Sequence, residues 1–265
     1  MNFLERSDLG EDAFRFVNRH DDIFRRVADG TDDFGIVPIE NSRNGLIGEV
    51  VRPLLGIGDQ DSLPFTFAGE CRLDLKYAFV VPREIEDVSE ISVVFSHGEA
   101  INQCADWLGR NPQLPTQPVQ STAHAAKHVA EQARKGRMFG AIANEFAGWT
   151  YGLKVQERNV QGRDENRTRF YLLSREPARR TGNDKTAILA HIPNKPGALL
   201  RLIAPINEHG ANMSSLHSIS VGNNGYAFYL EFDGHQQERK VRDLLRLLRH
   251  RDCTERLIVL GSFPR

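Results

Sequence analysis

Cysteine is scarce in this sequence, which contains three in 265 residues. Cys71, Cys104 and Cys253 are far apart and form no C-x-x-C pair, which argues against a disulfide framework or a zinc knuckle. Long apolar runs are also missing, since none approaches the roughly 18 residues of a membrane helix. Residues 1–6 lack the basic-then-apolar order of a signal peptide. We therefore expect a cytoplasmic protein with no metal site and no membrane partner.

The chain also lacks an excess of either charge, with 34 lysines and arginines against 35 aspartates and glutamates. This balance provides no general attraction to nucleic acid or to an anionic membrane, so any basic site must be local. A chain of 265 residues is long enough to bury a substantial core in one large domain or two small ones. We expect a small-molecule partner and no nucleic acid.

The clearest change in composition occurs at residues 175–184, which have no large apolar side chain and several turn formers. We place a linker at residues 176–184. After it, the apolar periods predict β-α-β-β-α-β, the ferredoxin-like order, over residues 185–265. The predicted strands are 185–192, 212–221, 226–232 and 256–260, and the predicted helices are 197–208, ended by Gly210, and one from Val241 to Leu248.

Residues 1–175 alternate short apolar strands with helices, which is typical of an α/β fold. Open sheets of this kind bind ligands at the carboxyl ends of their strands. Candidate functional residues should therefore follow the strands. The predicted strands are 34–39, 77–81, 93–96, 139–143 and 169–173, and helices are predicted to start near Gly98, Ala123 and Glu145.

Three polar residues, Glu40, Asn41 and Ser42, end the strand at 34–39. The simplest interpretation is a turn in which Asn41 or Ser42 caps the next helix. A ligand contact is the alternative, and these residues alone do not decide between the two.

Ser96 ends another predicted strand and forms an S-x-x-E capping pattern with Glu99. A helix N-terminus also attracts anions, because its free N–H groups point outward. Gln103 lies two turns further along the same helix face. Ser96 and Gln103 can therefore either serve the helix or face one ligand.

Two further stretches have polar residues at the start of an element. Ser121 and Thr122 open a helix of small residues, for which capping is the simplest explanation. In the segment NRTRF, Arg167 and Arg169 alternate onto one side of a strand and Thr168 onto the other. An edge strand explains this pattern, although a threonine hydroxyl shielded from water can also donate to a leaving hydroxyl.

Taken together, these stretches resemble prephenate dehydratases, in which similar blocks occur in the same order. Each block is a weak signal alone, but the ordered set is highly specific, and it extends from about Asp21 to the C-terminus. The matching blocks are VPIENS at 37–42, SHGEAINQC at 96–104, STAHAA at 121–126, YGL at 151–153, NRTRF at 166–170, and the ACT-domain stretch NKPGALL at 194–200.

The resemblance implies a two-lobed, periplasmic-binding-protein-like (type II) α/β catalytic domain over residues 1–175, followed by a ferredoxin-like βαββαβ ACT regulatory domain. Lobe one would cover about 1–75 and 155–175, lobe two about 76–154, and the substrate would bind between them. The implied reaction is loss of carbon dioxide and water from prephenate, giving phenylpyruvate for phenylalanine biosynthesis. That reaction uses no cofactor.

By the same analogy, Thr168 would be the general acid that assists departure of the ring hydroxyl, with Asn41, Ser96 and Gln103 orienting the substrate. Arg169 would suit a dicarboxylate. A homodimer or homotetramer would form through the ACT domains. Further substrate contacts would be Glu40, Ser42, His97, Ser121, Thr122 and Phe170, and an amino-acid effector such as phenylalanine would bind at Asn194, Gly197, Ala198, Leu199, Leu200, His217 and Ser218.

Two stretches depart from the family pattern. Met1 to Asp12 has no counterpart of the family's Gly-Pro-x-Gly-Thr loop, and 14–17 resembles the family's second strand, leading into a helix from Asp22 to Ala28. Residues 217–220, HSIS, stand where the family has Glu-Ser-Arg-Pro. We therefore expect a weak response to phenylalanine.

Other functions remain open at this point. A non-catalytic ligand sensor would be consistent with the missing loop, but Thr168 argues against it. An enzyme that uses arogenate is a close alternative. An enzyme that decarboxylates prephenate without eliminating water would be expected to lack Thr168.

Overall fold

A computed structural model describes residues 15–17, 19–57, 62–74, 76–162, 166–221, 225–250 and 252–265. The chain forms two compact units: unit 1 is Met1–Leu73 with Thr168–Arg265, and unit 2 is Asp74–Arg167. Within the described ranges, the helices are too short or too polar to cross a membrane. The predicted strand at 14–17 is not formed at 15–17, and Phe14, like Met1 to Asp12, lies outside the described residues.

The regular elements of the described residues come in this order along the chain. The strands are β1 Phe34–Asn41, β2 Gly45–Leu46, β3 Thr66–Asp74, β4 Ala78–Val81, β5 Val94–Ser96, β6 Thr116–Pro118, β7 Gly140–Ala143, β8 Lys154–Arg158, β9 Arg167–Ser174, β10 Asp184–Ile192, β11 Met213–Val221, β12 Gly225–Asp233 and β13 Arg256–Pro264. The helices are α1 His20–Ala28, α2 Gly48–Leu54, α3 Gly98–Gln103, α4 Ala105–Arg110, α5 Thr122–Ala133, α6 Glu145–Thr150, α7 Ala198–Glu208 and α8 Arg239–Leu248.

Unit 1 contains two four-stranded sheets. The first has the order β2-β1-β9-β3, and β1 runs antiparallel to β9. The second has the order β11-β12-β10-β13 with antiparallel neighbours, which confirms the predicted ferredoxin-like arrangement of the C-terminal region. The predicted helix end at Gly210 is also found, with a left-handed φ of 57°.

The C-terminal sheet is buried on both faces, because alternate residues of its strands point to opposite sides. Leu230 and Phe232 pack with Leu202 of α7 and Leu244 of α8. The opposite face, with Tyr229, joins the core of the first sheet. Alternation in β12 predicted the helix-facing side, whereas the buried polar residues of the other side were not predicted.

Strand β13 runs past its predicted end at Leu260 and packs closely on β3. A Cβ atom at Gly261 would lie 2.2 Å from the carbonyl oxygen of Phe67, so only glycine fits at this position. Thr66 Oγ1 also donates to the carbonyl of Leu260 at 3.1 Å. These contacts hold the C-terminal sheet against the first sheet of unit 1.

Unit 2 is a mixed five-stranded sheet with the order β6-β5-β7-β4-β8. Strand β5 is parallel to β6 and β7, whereas β4 is antiparallel to β7 and β8. The small residues Ala125 and Ala126 of α5 are fully buried and let the helix pack closely on the sheet. A return to lobe one was expected from residue 155, but β8 instead extends the sheet of this unit.

Candidate functional site

Thr168 and Asn41 lie opposite each other on neighbouring strands of unit 1. Their Cα atoms are register partners in the β1–β9 pair. Asn41 Nδ2 donates to Thr168 Oγ1 at 3.0 Å, and the Thr168 residue is 7% exposed. The structure therefore brings together two of the residues that the sequence predicted as catalytic.

A tight turn fixes the direction of the Asn41 amide. Its Oδ1 accepts the backbone N–H groups of Arg43 at 3.0 Å and Asn44 at 3.4 Å. Because the oxygen must face these donors, the NH2 group faces Thr168. The turn interpretation is thus confirmed, but the capping of the next helix is wrong, since α2 has Ile47 as its N-cap and no side-chain cap.

The hydrogen bond from Asn41 determines the orientation of the Thr168 hydroxyl. Its oxygen accepts a hydrogen bond, so its own hydrogen points elsewhere. In the part of the chain that the structure describes, no acceptor for that hydrogen is found. Among these residues, the Thr168 hydroxyl hydrogen is therefore not used in a hydrogen bond.

Arg169, the next residue, lies in a buried ion cluster. Its Nη2 contacts Glu40 Oε2 at 2.7 Å and Glu231 Oε1 at 2.6 Å. Its Nη1 donates to Glu231 Oε2 at 2.7 Å and Glu70 Oε2 at 3.2 Å. The Arg169 side chain is 8% exposed, which makes it a member of the core and not a solvated edge residue.

Several more polar groups complete this cluster. Lys185 Nζ contacts Glu231 Oε2 at 2.9 Å and also contacts Glu70. Tyr171 donates to Glu231 Oε1 at 2.6 Å, and Tyr229 donates to the same carboxylate. Three carboxylates, those of Glu40, Glu70 and Glu231, thus contact the buried cations Arg169 and Lys185, and the exposed Arg72 lies 3.7 Å from Glu70.

The cluster strongly perturbs its titratable groups. Burial alone would raise the pKa of Glu231, but the hydrogen bond and charge of Arg169 and the charge of Lys185 outweigh it and lower that pKa to about 2. Burial and the charge of Glu231 raise the pKa of both Tyr171 and Tyr229. Glu231 is therefore ionised, and both phenols are neutral, at physiological pH.

This environment corrects the expectation that Arg169 binds a substrate carboxylate. Both terminal nitrogens already contact carboxylates of the chain. Only Nε lacks an acceptor among the described residues, and that atom is buried. Both terminal nitrogens are therefore occupied, and Arg169 presents no terminal donor to a substrate carboxylate.

In unit 2, Gln103 is linked to Asn166 and Glu99. Asn166 Nδ2 donates to Gln103 Oε1 at 2.9 Å, and Gln103 Nε2 faces Glu99 Oε1 at 3.4 Å. Gln103 and Asn166 are 8% and 7% exposed. Gln103 was predicted as a site residue. Its partner Asn166 is the first residue of the NRTRF motif, for which no role was predicted.

Ser96 has a structural contact in place of the predicted ligand contact. The residue is fully buried, and its hydroxyl donates to the carbonyl of Ile142 at 2.7 Å. The predicted capping box with Glu99 is wrong, because the N-cap of α3 is His97, whose ring nitrogen accepts from the Glu99 N–H at 3.3 Å. The sequence pattern placed the cap one residue too early.

The remaining predicted contacts lie in less enclosed positions. Ser121 is exposed and caps α5 by accepting from the N–H of His124 at 3.0 Å, as the capping interpretation predicted. His97 and Ser42 are exposed, and Thr122 and Phe170 are half-buried. Their contact with a substrate stays a prediction.

The predicted effector residues surround the start of α7 and lie on β11. Gly197 has a left-handed φ of 77° at the N-cap, where other residues would be strained. Asn194 and Leu200 are exposed, Leu199 is half-buried and Ala198 is buried. On β11, Ser218 is exposed, but the His217 ring lies 3.8 Å from Glu40 and packs near Tyr229.

Sequence reasoning missed Glu70, Lys185, Tyr171, Tyr229 and Glu231. Charged residues within strands normally indicate a solvated face, so their burial is not visible in the pattern. A usable signal was present in β12, where Tyr229 and Glu231 alternate with apolar residues on a predicted strand. In the described ranges, no group of three or more His, Cys, Asp or Glu is placed to hold a metal ion.

Comparison with known proteins identifies the family. A family model described as prephenate dehydratase matches residues 11–178. The chain belongs to the prephenate dehydratase family. The bifunctional chorismate mutase/prephenate dehydratase of Aquifex aeolicus is 31% identical over 247 residues, which is 92% of this chain and 64% of that relative. The chain thus spans 64% of the length of this curated relative.

Two solved structures extend the likeness beyond the matched domain. A prephenate dehydratase from Arthrobacter aurescens in complex with L-Phe has a TM-score of 0.78 and 29% identity, covering 94% of this chain and 80% of that one. A quorum-quenching acylase, GqqA, has a TM-score of 0.75 at 24% identity, covering 91% and 85%. At that identity, the second likeness concerns the fold alone.

Proposed function

We propose that this prephenate dehydratase family member catalyses the decarboxylative dehydration of prephenate to phenylpyruvate. The observation that carries the proposal is the hydrogen bond from Asn41 to Thr168 Oγ1, at 3.0 Å, which leaves the threonine hydrogen available to a ligand. The family match and the 31% identity to a bifunctional chorismate mutase/prephenate dehydratase support it.

The reaction requires few catalytic groups from the protein. The bond from the prephenate ring to its carboxylate breaks, carbon dioxide leaves, and the released electron pair makes the ring aromatic and expels the hydroxyl at the opposite carbon. The Thr168 O–H donates a hydrogen bond to that hydroxyl and shares its proton as the carbon–oxygen bond breaks. A solvent proton restores the balance, so one proton is consumed for each water and carbon dioxide released.

The polar groups of the two units have different proposed roles. Thr168 assists the leaving group, and Asn41 keeps its hydroxyl in the donor orientation. In unit 2, Asn166 holds the amide of Gln103, whose contact with a substrate stays a prediction. Arg169 supports Thr168 from within the ion cluster, and Ser96 holds the sheet of unit 2.

A product assay tests the proposal. The purified chain is incubated with prephenate at near-neutral pH, where spontaneous breakdown is slow, and phenylpyruvate is followed by its absorbance. We expect phenylpyruvate and total carbon dioxide, counted with the bicarbonate that it forms, in equal amounts, and a parallel assay with arogenate sets the substrate preference. A non-aromatic product would contradict dehydration, and binding of prephenate without any product would favour the sensor alternative.

We further propose that the C-terminal ferredoxin-like domain is an ACT regulatory domain that pairs in a homodimer or homotetramer. The structural relative from Arthrobacter aurescens is described in complex with L-Phe. In this chain, residues 217–220 read HSIS in place of the family's Glu-Ser-Arg-Pro motif, and the His217 ring lies 3.8 Å from Glu40. Phenylalanine at millimolar concentration should therefore change activity little, and strong inhibition with a change of oligomer size in light scattering would contradict this.

A further inference from the structure

Two adjacent residue pairs form the β1–β9 ladder beside the proposed acid. Asn41 faces Thr168, and Glu40 faces Arg169. The register shifts between Pro38 and Glu40, immediately before these pairs. Because a bulge disrupts backbone pairing locally, the side-chain contacts of the two pairs that follow it add to the backbone pairing in aligning the strands.

The ion pair between Arg169 and Glu40 is one such contact, and it depends on the orientation of the guanidinium. Arg169 Nη2 lies 2.7 Å from Glu40 Oε2. Both carboxylate oxygens of Glu231 also contact this guanidinium: Oε1 lies 2.6 Å from Nη2, and Oε2 lies 2.7 Å from Nη1. A two-pronged contact of this kind fixes the plane of a guanidinium, which a single contact does not.

Glu231 is itself immobilised within the C-terminal domain. Its side chain is 1% exposed, and its oxygens also accept from Lys185 at 2.9 Å and from Tyr171 at 2.6 Å. The side chains that contact Glu231, those of Arg169, Lys185, Tyr171 and Tyr229, are themselves buried. A residue of the C-terminal domain therefore determines how Arg169 is presented to β1.

We infer that Glu231 is a positioning residue for the dehydration reaction, acting through Arg169 and Glu40 on the alignment of Asn41 with Thr168. The inference rests on the proposed function. It means that the C-terminal domain completes the proposed active site even when no effector is bound.

The test replaces Glu231 by Gln, which keeps the shape and removes the charge. We expect kcat on prephenate to fall about tenfold with KM changed less than about twofold, the pattern of a lost transition-state contact. Glu231→Asp, which keeps the charge, should recover most of kcat. Asp184→Asn is the matched control, because it neutralises another buried carboxylate, at the start of β10, whose hydrogen bonds among the described residues go to the 181–182 turn.

Combining the substitution with Thr168→Ala separates positioning from general destabilisation. If Glu231 acts through Thr168, Glu231→Gln should lower kcat clearly less in the Thr168→Ala background than in the wild type. Should Glu231→Gln be too unstable to purify, Arg169→Lys keeps the cation, removes the fork, and should show the same pattern. Independent, multiplying losses, or a normal kcat in either folded variant, would overturn the inference.

Different experimental results would contradict the inference and the proposed function. An active wild type with a normal Glu231→Gln variant overturns only the inference. A wild type that releases no phenylpyruvate contradicts the proposed function, and the inference falls with it.

Discussion

The two units bury their polar residues in different ways. In unit 1, Thr168 lies next to an ion cluster in which three carboxylates contact the buried cations Arg169 and Lys185. In unit 2, the buried polar side chains among the described residues are Ser96, Gln103 and Asn166, all of them neutral. The difference shows most clearly in the two hydroxyls, since Thr168 accepts from a side-chain amide whereas Ser96 donates to a backbone carbonyl.

This difference matters because a hydroxyl has one proton to give. Ser96 has already committed its proton to Ile142, and Thr168 has not, within the residues that the structure describes. Two hydroxyls at the ends of sheet strands therefore have opposite capacities, although both belong to family motifs. The partner of each oxygen, more than the motif, decides which one can act as an acid.

Removing the Thr168 hydroxyl should have the largest effect. In Thr168→Ala, kcat on prephenate should fall 10²-fold or more with little change in KM, because the lost hydrogen bond forms only as the hydroxyl leaves. Steady-state kinetics of phenylpyruvate formation measure this. Equal turnover in the variant would remove Thr168 from the mechanism.

Replacing Asn41 by Asp should make the Thr168 hydroxyl donate its hydrogen to a neighbouring protein oxygen, as the Ser96 hydroxyl does. A carboxylate in place of the amide accepts the Thr168 proton and turns it away from substrate, so kcat should fall about 10- to 100-fold. Asn44→Asp is the control, since it places the same new charge on the exposed turn three residues away. The same kinetic loss in both variants would mean that the added charge, and not the direction of the Thr168 proton, causes the defect.

Lowering the pH should destabilise unit 1, because Glu231 becomes protonated. Its native pKa of about 2 lies below its usual value of 4.5. Its stabilising contribution is therefore complete above about pH 4.5 and declines as the pH falls toward 2, with about 2 kcal/mol lost by pH 3. Urea unfolding of the wild type and Glu231→Gln between pH 7 and pH 3 measures the difference, and identical pH dependence in the two proteins would contradict it.

Spectroscopy can assign that loss to one unit. Both tryptophans, Trp107 and Trp149, belong to unit 2. Trp107 is 2% exposed, so its fluorescence reports the core of that unit. Lowering the pH should shift the circular dichroism transition of the whole chain more than the tryptophan transition.

Ser96→Ala should have the smallest effect. Loss of its hydrogen bond to Ile142 should lower the free energy of unfolding by about 1 kcal/mol. Because that proton is not available to substrate, kcat should remain within about twofold of the wild type. A loss of kcat as large as that of Thr168→Ala would show that Ser96 also acts on the substrate.

The sequence predicted the apolar strands and the C-terminal elements well, missed β2, β3, β6, β8 and α2, and predicted the polar interior poorly. Apolar alternation located β1, β4, β5, β7 and β9, because one-sided or complete burial leaves a regular pattern. It did not predict β3, where Glu70, Cys71 and Arg72 interrupt the pattern and Glu70 is buried only through its ion pairs. Such charges are stabilised by partners distant in sequence, which local periodicity cannot reveal.

The candidate site was predicted in the same uneven way. Thr168, Asn41 and Gln103 were found through motif order, and the structure places Gln103 in a buried hydrogen bond and the other two in a partly buried one. The roles of Ser96 and Arg169 were not predictable, since they depend on Ile142 and Glu231, which lie 46 and 62 residues away. Motifs identify which residues matter, whereas the direction of each proton follows from the folded contacts.

The central claim is that the Thr168 hydroxyl hydrogen, left available by Asn41, assists departure of the ring hydroxyl. The most direct test compares phenylpyruvate formation by Thr168→Ser and Thr168→Val in one assay, since serine keeps the hydroxyl and valine keeps the volume. We expect the serine variant to retain most of the wild-type kcat and the valine variant to lose it as Thr168→Ala does. Equal activity of the two variants would contradict the account.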